Sequence, residues 1–229
     1  NKLDKCIKYL IKENSEFSSI LKDFNKINQT IKGPEERILN KFNIYRVLNS
    51  LRQPKPLSNS YISDETFLQY LAIKKGIVTL SEIPSVNELF KIKSPSNPEL
   101  KLFNNIHLWK GDITRLEVDA IVNAANNQLL GCWSPLHNCI DNIINSYAGV
   151  QLRNEMKEIM DKKGKPEEAG KDELSRGYNL PAKYIIHTVG PIVYNRLEEE
   201  HKEKLISCYR SILNLAKEKK ITSVAFCCI

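Results

Sequence analysis

The sequence lacks any uninterrupted apolar run near the roughly 18 residues that a membrane-spanning helix needs, and its first residues, rich in Lys, Asp and Glu, lack the apolar core of a secretory leader. Both absences point to a cytoplasmic chain with no membrane partner. No arginine-rich tract and no basic stripe interleaved with aromatics is present, although 34 Lys and Arg against 27 Asp and Glu leave a formal charge of +7 and a pI near 9.0. The two signs alternate along the chain. The surplus therefore reads as a solvated surface with a mild attraction for phosphate, and a nucleic-acid partner is not expected. There is no internal repeat and no low-complexity tract.

A regular cysteine framework is missing as well. The six cysteines fall at irregular spacings and include the adjacent pair Cys227 and Cys228, which argues for reduced thiols or metal ligands over secreted disulfides. Near the apolar end of the chain, Cys227 and Cys228 read as small core residues of a strand. The chain begins without methionine and stops inside SVAFCCI, and so reads as a fragment.

With 229 residues the chain can hold one good core and a smaller second unit. The first hundred residues carry helix punctuation. A helix is predicted over Leu3 to Glu13, and Pro34, Glu35 and Glu36 open a segment whose apolar positions (Ile38, Leu39, Phe42, Ile44, Tyr45, Val47, Leu48, Leu51) keep a helical rhythm until Pro54. A further helix runs from Asp64 to Lys75, closed by Gly76. The stretch KIKSPSNP at 91–98 forbids a continuous helix and divides the chain into a helical unit, 1–98, and a second domain, 99–229. Beyond it, short β-rich runs (Ile106 to Lys110, Ala120 to Ala124, Tyr184 to Val189, Ser223 to Ile229) alternate with helices from about Cys139 to Tyr147, Gln151 to Lys162 and Leu197 to Lys219. The last of these is amphipathic through Leu205, Tyr209, Ile212 and Ala216. Strands alternating with helices predict an α/β layered sheet.

Three polar runs sit where a strand meets a helix: KGDIT at 110–114, VNAANNQLLGC at 122–132 and GYNLPAKYIIHTVGP at 177–191. Ligand crevices of α/β sheets form at such strand ends, where backbone amides receive phosphate, so the organisation suggests a nucleotide-like ligand. Within GCWSPLHNC, Cys132, His137 and Cys139 offer two thiolates and an imidazole, and Pro135 stiffens the loop between the first two. Three donors without a CxxC partner suit an open, catalytic zinc site. On spacing alone, the other reading makes Cys132 and Cys139 buried hydrophobes and His137 a hydrogen-bonded loop histidine. His187, inside the apolar run YIIHTVG, reads as a core histidine, and Asn123 as structural.

GDIT, VDAIVNAANN, LLG and YIIHTVGP, in that order, resemble the macrodomain, the ADP-ribose-binding α/β fold. GCWSPLHNCIDN in place of a glycine run is similar to the zinc-dependent macro-type protein ADP-ribosylhydrolases, whose bacterial members carry a helical N-terminal extension. The resemblance implies a three-layer α/β/α macrodomain with a mixed central sheet, and a zinc-dependent hydrolase that removes mono-ADP-ribose from proteins. A non-catalytic ADP-ribose reader and an O-acetyl-ADP-ribose deacetylase are the alternatives. The resemblance further implies Zn2+ on Cys132, His137 and Cys139. It gives Asp141 and Asn126 the catalytic positions, and Asp112, Ile113, Asn126 and Gly131 the contacts to ADP-ribose. Helix or turn capping competes for Asp112 and Asp141. A lipoyl-carrier protein modified by a sirtuin-type transferase is the partner it implies. Three departures stand out: Asn145 where histidine is usual, Asp172 where a small neutral residue is usual, and no glycine-rich diphosphate loop after the last strand.

Overall fold

The computed structural model describes residues 2–14, 16–73, 76–90 and 102–229, so the expected boundary at 91–98 lies outside the described residues. Four helices come first: α1 (Lys2–Glu13), α2 (Phe17–Thr30), α3 (Pro34–Leu51) and α4 (Asn59–Ile73). Leu3, Cys6, Ile7 and Leu10 recur at helical spacing on one face of α1 and bury it against Ile44, Tyr45 and Leu48 of α3 and Tyr61 of α4. Pro34 fits the first turn of α3, where its missing N–H costs nothing, and Glu35 and Glu36 offset the positive helix end. Only the second half of α3 is core. Ile38 and Leu39 are each 59% exposed, contrary to the expected continuous apolar face. Helix α4 starts five residues before the expected Asp64, because the Ser58 hydroxyl caps it by accepting from the Tyr61 N–H at 3.3 Å. Helix α2 was not expected: FSSILKDFNKINQT is rich in Ser, Asn and Asp, which compete with the helical backbone.

Next come β1 (Val78–Thr79), α5 (Val86–Phe90), a 3₁₀ turn at Ile113–Arg115 and β2 (Leu116–Glu117), with β1 and β2 paired in parallel. The expected strand at 106–110 is no strand. His107 makes a single bridge with Ser85 and bonds the Ile83 carbonyl through Nδ1 at 2.7 Å, so the run lies over residues 83–86 and joins no sheet.

The main sheet contains β3 (Ala120–Ala124), β4 (Asp172–Arg176), β5 (Tyr184–Thr188) and β6 (Val224–Ala225) in the order β4-β5-β3-β6. It is mixed: β3 runs parallel to β5 and β6, and β4 runs antiparallel to β5. Alternation along β3 separates the layers. Ile121 faces α6 (Ile140–Ala148) and α7 (Val150–Lys163) through Ile144, Leu152 and Met156, while Ala120 and Val122 face Ile212 of α8 (Glu199–Glu218). The fold is a three-layer α/β/α arrangement with helices ahead of it, as the resemblance implies. Strand β4, DELSR, escaped the sequence reading because edge strands carry charge and give no apolar alternation. On α8 the buried face runs through Cys208, Ile212 and Ala216, whereas Tyr209 is 37% exposed. The last strand is shorter than expected, so that Cys227 is half-buried and Cys228 is exposed. Among the described residues no helix is long and apolar enough to cross a membrane.

Candidate functional site

Because β3 and β5 are parallel, the loops after Ala124 and Thr188 leave the sheet at the same edge, where α/β folds bind ligands. The loop after β3 runs to Cys139. Asn126, exposed, is spent on this loop: its Nδ2 donates to the Gly131 carbonyl at 3.1 Å and its Oδ1 accepts from the Gln128 N–H at 2.9 Å. Gly131 has φ +81, and a Cβ there would lie 2.8 Å from the Asn145 amide, so only glycine fits.

The ligating atoms of Cys132, His137 and Cys139 all lie within 4.8 Å of one another, with Cys132 Sγ 3.5 Å from His137 Nδ1. Tetrahedral zinc with bonds of about 2.3 Å to sulfur and 2.0 Å to nitrogen sets ligand atoms roughly 3.4–3.8 Å apart, so the chemistry of the donor set suits that ion and the Cys132–His137 separation falls in that range. Cys139 also caps α6, its Sγ accepting from the Asn142 N–H at 3.3 Å, and burial pushes its thiol up. Cys132 and Cys139 are half-buried and His137 is exposed.

Asp141 is the second residue of α6 and 5% exposed, and Cys139 holds the capping position that the other reading gave to Asp141. One oxygen accepts from Asn123 Nδ2 at 2.8 Å and from Asn145 Nδ2 at 3.0 Å. Burial raises its pKa, and the Asn123 hydrogen bond and the Arg153 charge oppose that. Asn145, the departure from the expected histidine, thus joins Gly131 to Asp141.

Behind Asp141 a buried polar row crosses the sheet. The Asn123 amide also reaches His187 Nδ1 at 3.1 Å, and His187 Nε2 lies 2.8 Å from Ser175 Oγ on β4. A carboxylate only accepts, so the amide must turn its N–H groups toward Asp141 and His187. Nδ1 therefore accepts, and the neutral imidazole carries its proton on Nε2, donating to Ser175. Burial agrees, pushing the His187 pKa down to about 3. Asn123 Oδ1 is left buried without a partner, the consequence of that orientation. His187 and Asn123 are buried in the sheet, as expected, and Asn123 holds Asp141, one of the expected site residues. No sequence signal pointed to Ser175, which lies in the strand that was missed.

Asp112 caps the 3₁₀ turn: one oxygen accepts from the Thr114 N–H at 3.0 Å and its hydroxyl at 2.6 Å, and the other lies 3.4 Å from Arg115 Nε. The capping reading is realised, and the side chain remains 41% exposed. Ile113, half-buried, packs on the core. Arg115 covers the ring of Tyr147 near the far end of α6, so Asp112 and Asp141 lie toward opposite ends of a helix roughly 13 Å long. Asp172 faces Ser211 of α8, which accounts for a carboxylate at that position.

Asn126 and Gly131 thus stand in the loop at the carboxyl edge of a layered α/β/α sheet, and comparison with known proteins gives the family. The family described as Macro domain matches residues 122–229. A protein-ADP-ribose hydrolase of Treponema medium is 36% identical over 224 residues, 97% of this chain and 77% of that protein. One of Staphylococcus aureus (strain MSSA476) is 42% identical over 187 residues, 81% of this chain and 65% of its own length, so this chain spans about two thirds of that relative. Among solved structures, the Trypanosoma brucei macrodomain in complex with ADP-ribose aligns with a TM-score of 0.55 at 28% identity, over 80% of this chain and 72% of that one. The macro domain of ganglioside induced differentiation associated protein 2 gives 0.54 at 33%, over 66% and 69%. The chain belongs to the macrodomain family.

Proposed function

We propose that this protein hydrolyses the bond between ADP-ribose and a modified protein side chain, with ADP-ribose lying along the carboxyl edge of β3 and β5. The observation that carries this reading is the Asp141 carboxylate, pinned by Asn123 and Asn145 two residues from Cys139. The names of the Treponema and Staphylococcus relatives support it. Cys132, His137 and Cys139 would hold Zn2+, which when bound supplies Lewis acidity and a fixed anchor for a hydroxyl or water.

The chain's own groups divide the remaining work. Asp141 takes a proton from the attacking water as a new C–O bond forms at the anomeric carbon and the acceptor side chain departs. Asn126, which both donates and accepts, orients the distal ribose hydroxyls, and the Gly131 backbone lets the sugar approach. Asp112, with the N–H of Ile113, receives the adenine amino group at the other end of α6. A mono-ADP-ribosylated lipoyl-carrier protein, the implied partner, is the first substrate to try.

The decisive experiment is release of free ADP-ribose from a mono-ADP-ribosylated acceptor protein, with zinc retained and with zinc chelated. Metal-dependent release is expected. The near-complete burial of Asp141 favours one rival, a reader that only binds ADP-ribose. No release in either state, with ADP-ribose still bound, would establish that rival. Release unaffected by chelation would keep the hydrolase and remove the metal.

A further inference from the structure

Helix α3 ends against the metal loop. The last carbonyls of a helix form its negative pole and need donors. Here they converge on Arg153 of α7, which is 4% exposed. Its Nη1 donates to the carbonyls of Asn49 at 2.6 Å, Ser50 at 3.2 Å and Arg52 at 2.8 Å. The same guanidinium donates through Nε to the Leu130 carbonyl at 2.7 Å, two residues before Cys132, and lies 4.3 Å from the ring of Trp133, one residue after it. One buried cation thus fixes the end of α3 and both flanks of Cys132.

Asn142 makes a second bridge. Its Nδ2 donates to Ser50 Oγ at 3.1 Å and to the Ser134 carbonyl at 3.0 Å, its Oδ1 accepts from Arg46 Nη2 at 3.1 Å, and its backbone N–H donates to Cys139 Sγ. Asn49 Nδ2 adds a bond to the Asn145 carbonyl at 3.3 Å. Residues 134–138 are exposed, with Leu136 at φ +56, so the stretch between the ligands has little core of its own to hold it. Its flanks are held from α3 and α7.

We propose that α3 is a positioning part of the metal loop: Arg153 and Asn142 transmit its docked position to Cys132 and Cys139, so that metal affinity depends on the N-terminal helices. This rests on the reading that Cys132, His137 and Cys139 hold a metal. Groups that orient metal ligands contribute to affinity, typically by about 10–100-fold. The coupling is reciprocal, so a metal that fixes the loop also fixes α3.

The test is zinc affinity of the whole chain by competition with a chromogenic chelator, beside limited proteolysis of residues 2–51 with and without zinc. Arg153→Met is expected to weaken zinc binding by about 10–100-fold. Ser50→Ala, which removes one bond to Asn142 and keeps the fold should Arg153→Met lose it, is expected to weaken it by about 2–10-fold. In the wild type, chelation should speed cleavage within residues 2–51 several-fold. Wild-type zinc affinity in a folded Arg153→Met, or in Ser50→Ala, overturns the coupling, as does cleavage indifferent to zinc. If the wild type binds no zinc, or Cys132→Ala binds it equally well, the metal reading itself falls and the coupling with it.

Discussion

Two clusters of buried polar side chains occupy the two halves of this protein, and they are built to opposite ends. In the helical half, Glu65 is fully buried and accepts from the Tyr45 hydroxyl at 2.5 Å, the Tyr61 hydroxyl at 3.1 Å and the Val150 N–H at 3.3 Å. Val150 opens α7, so the carboxyl group of one half caps a helix of the other. Gly149 has φ +92, and a Cβ on it would lie 2.7 Å from Glu65 Oε2, so the junction requires glycine. In the sheet half, the row Ser175, His187, Asn123 ends on Asp141, beside the loop that carries Cys132, His137 and Cys139. Glu65 is enclosed by its own donors, as a bolt between the halves. The sheet row holds a carboxylate two residues from Cys139.

The largest expected effect breaks the comparison if it fails. Asp141→Asn preserves shape and one acceptor oxygen but removes the base, so ADP-ribose release should fall by about 10²–10⁴-fold while the melting temperature changes little. Unchanged release would make the sheet row scaffolding of the same kind as Glu65. Next, Glu65→Ala removes the buried acceptor shared by two tyrosine hydroxyls and a helix N–H, and should cost about 3 kcal/mol in urea denaturation. A cost below about 0.5 kcal/mol would mean that Glu65 joins nothing.

The legible and illegible parts of this protein differ in how far apart the interacting residues lie in sequence. The parallel strands of the sheet centre, the helices from α6 onward and the triad Cys132, His137, Cys139 were readable because apolar runs and donor spacing are local signals. Strand β4 was not, since DELSR joins the sheet only by pairing with β5. Arg153 and Asn145 gave no signal either, one in an unremarkable helical stretch and the other known only as a departure. Their work is set by contacts to carbonyls a hundred residues away or one helical turn back. A cysteine was misjudged as well: Cys228 sits in an apolar run, but β6 ends at Ala225 and leaves it exposed.

The smallest effect sharpens the comparison through pH. Burial pushes Glu65 up to about 7 from an ordinary value of 4.5, so its contribution to stability is complete below pH 4.5 and is lost as pH rises through 7. His187, pushed down to about 3 from 6.5, contributes fully above pH 6.5 and loses that contribution as pH falls toward 3. Between pH 4.5 and 6.5 the folded chain carries the proton on Glu65 and the unfolded chain carries it on His187. The two counts are equal, so these groups cancel and leave the slope of stability with pH to others. Glu65→Gln removes one side of the balance, and its stability should climb relative to wild type by about 1.4 kcal/mol per pH unit across that window. His187→Gln should fall relative to wild type at about the same rate. Denaturation curves at pH 5 and pH 6 for the three proteins measure both slopes. Parallel curves would mean that neither cluster keeps water out, whereas slopes of opposite sign would establish that the halves hold a neutral acid and a neutral base for opposite reasons.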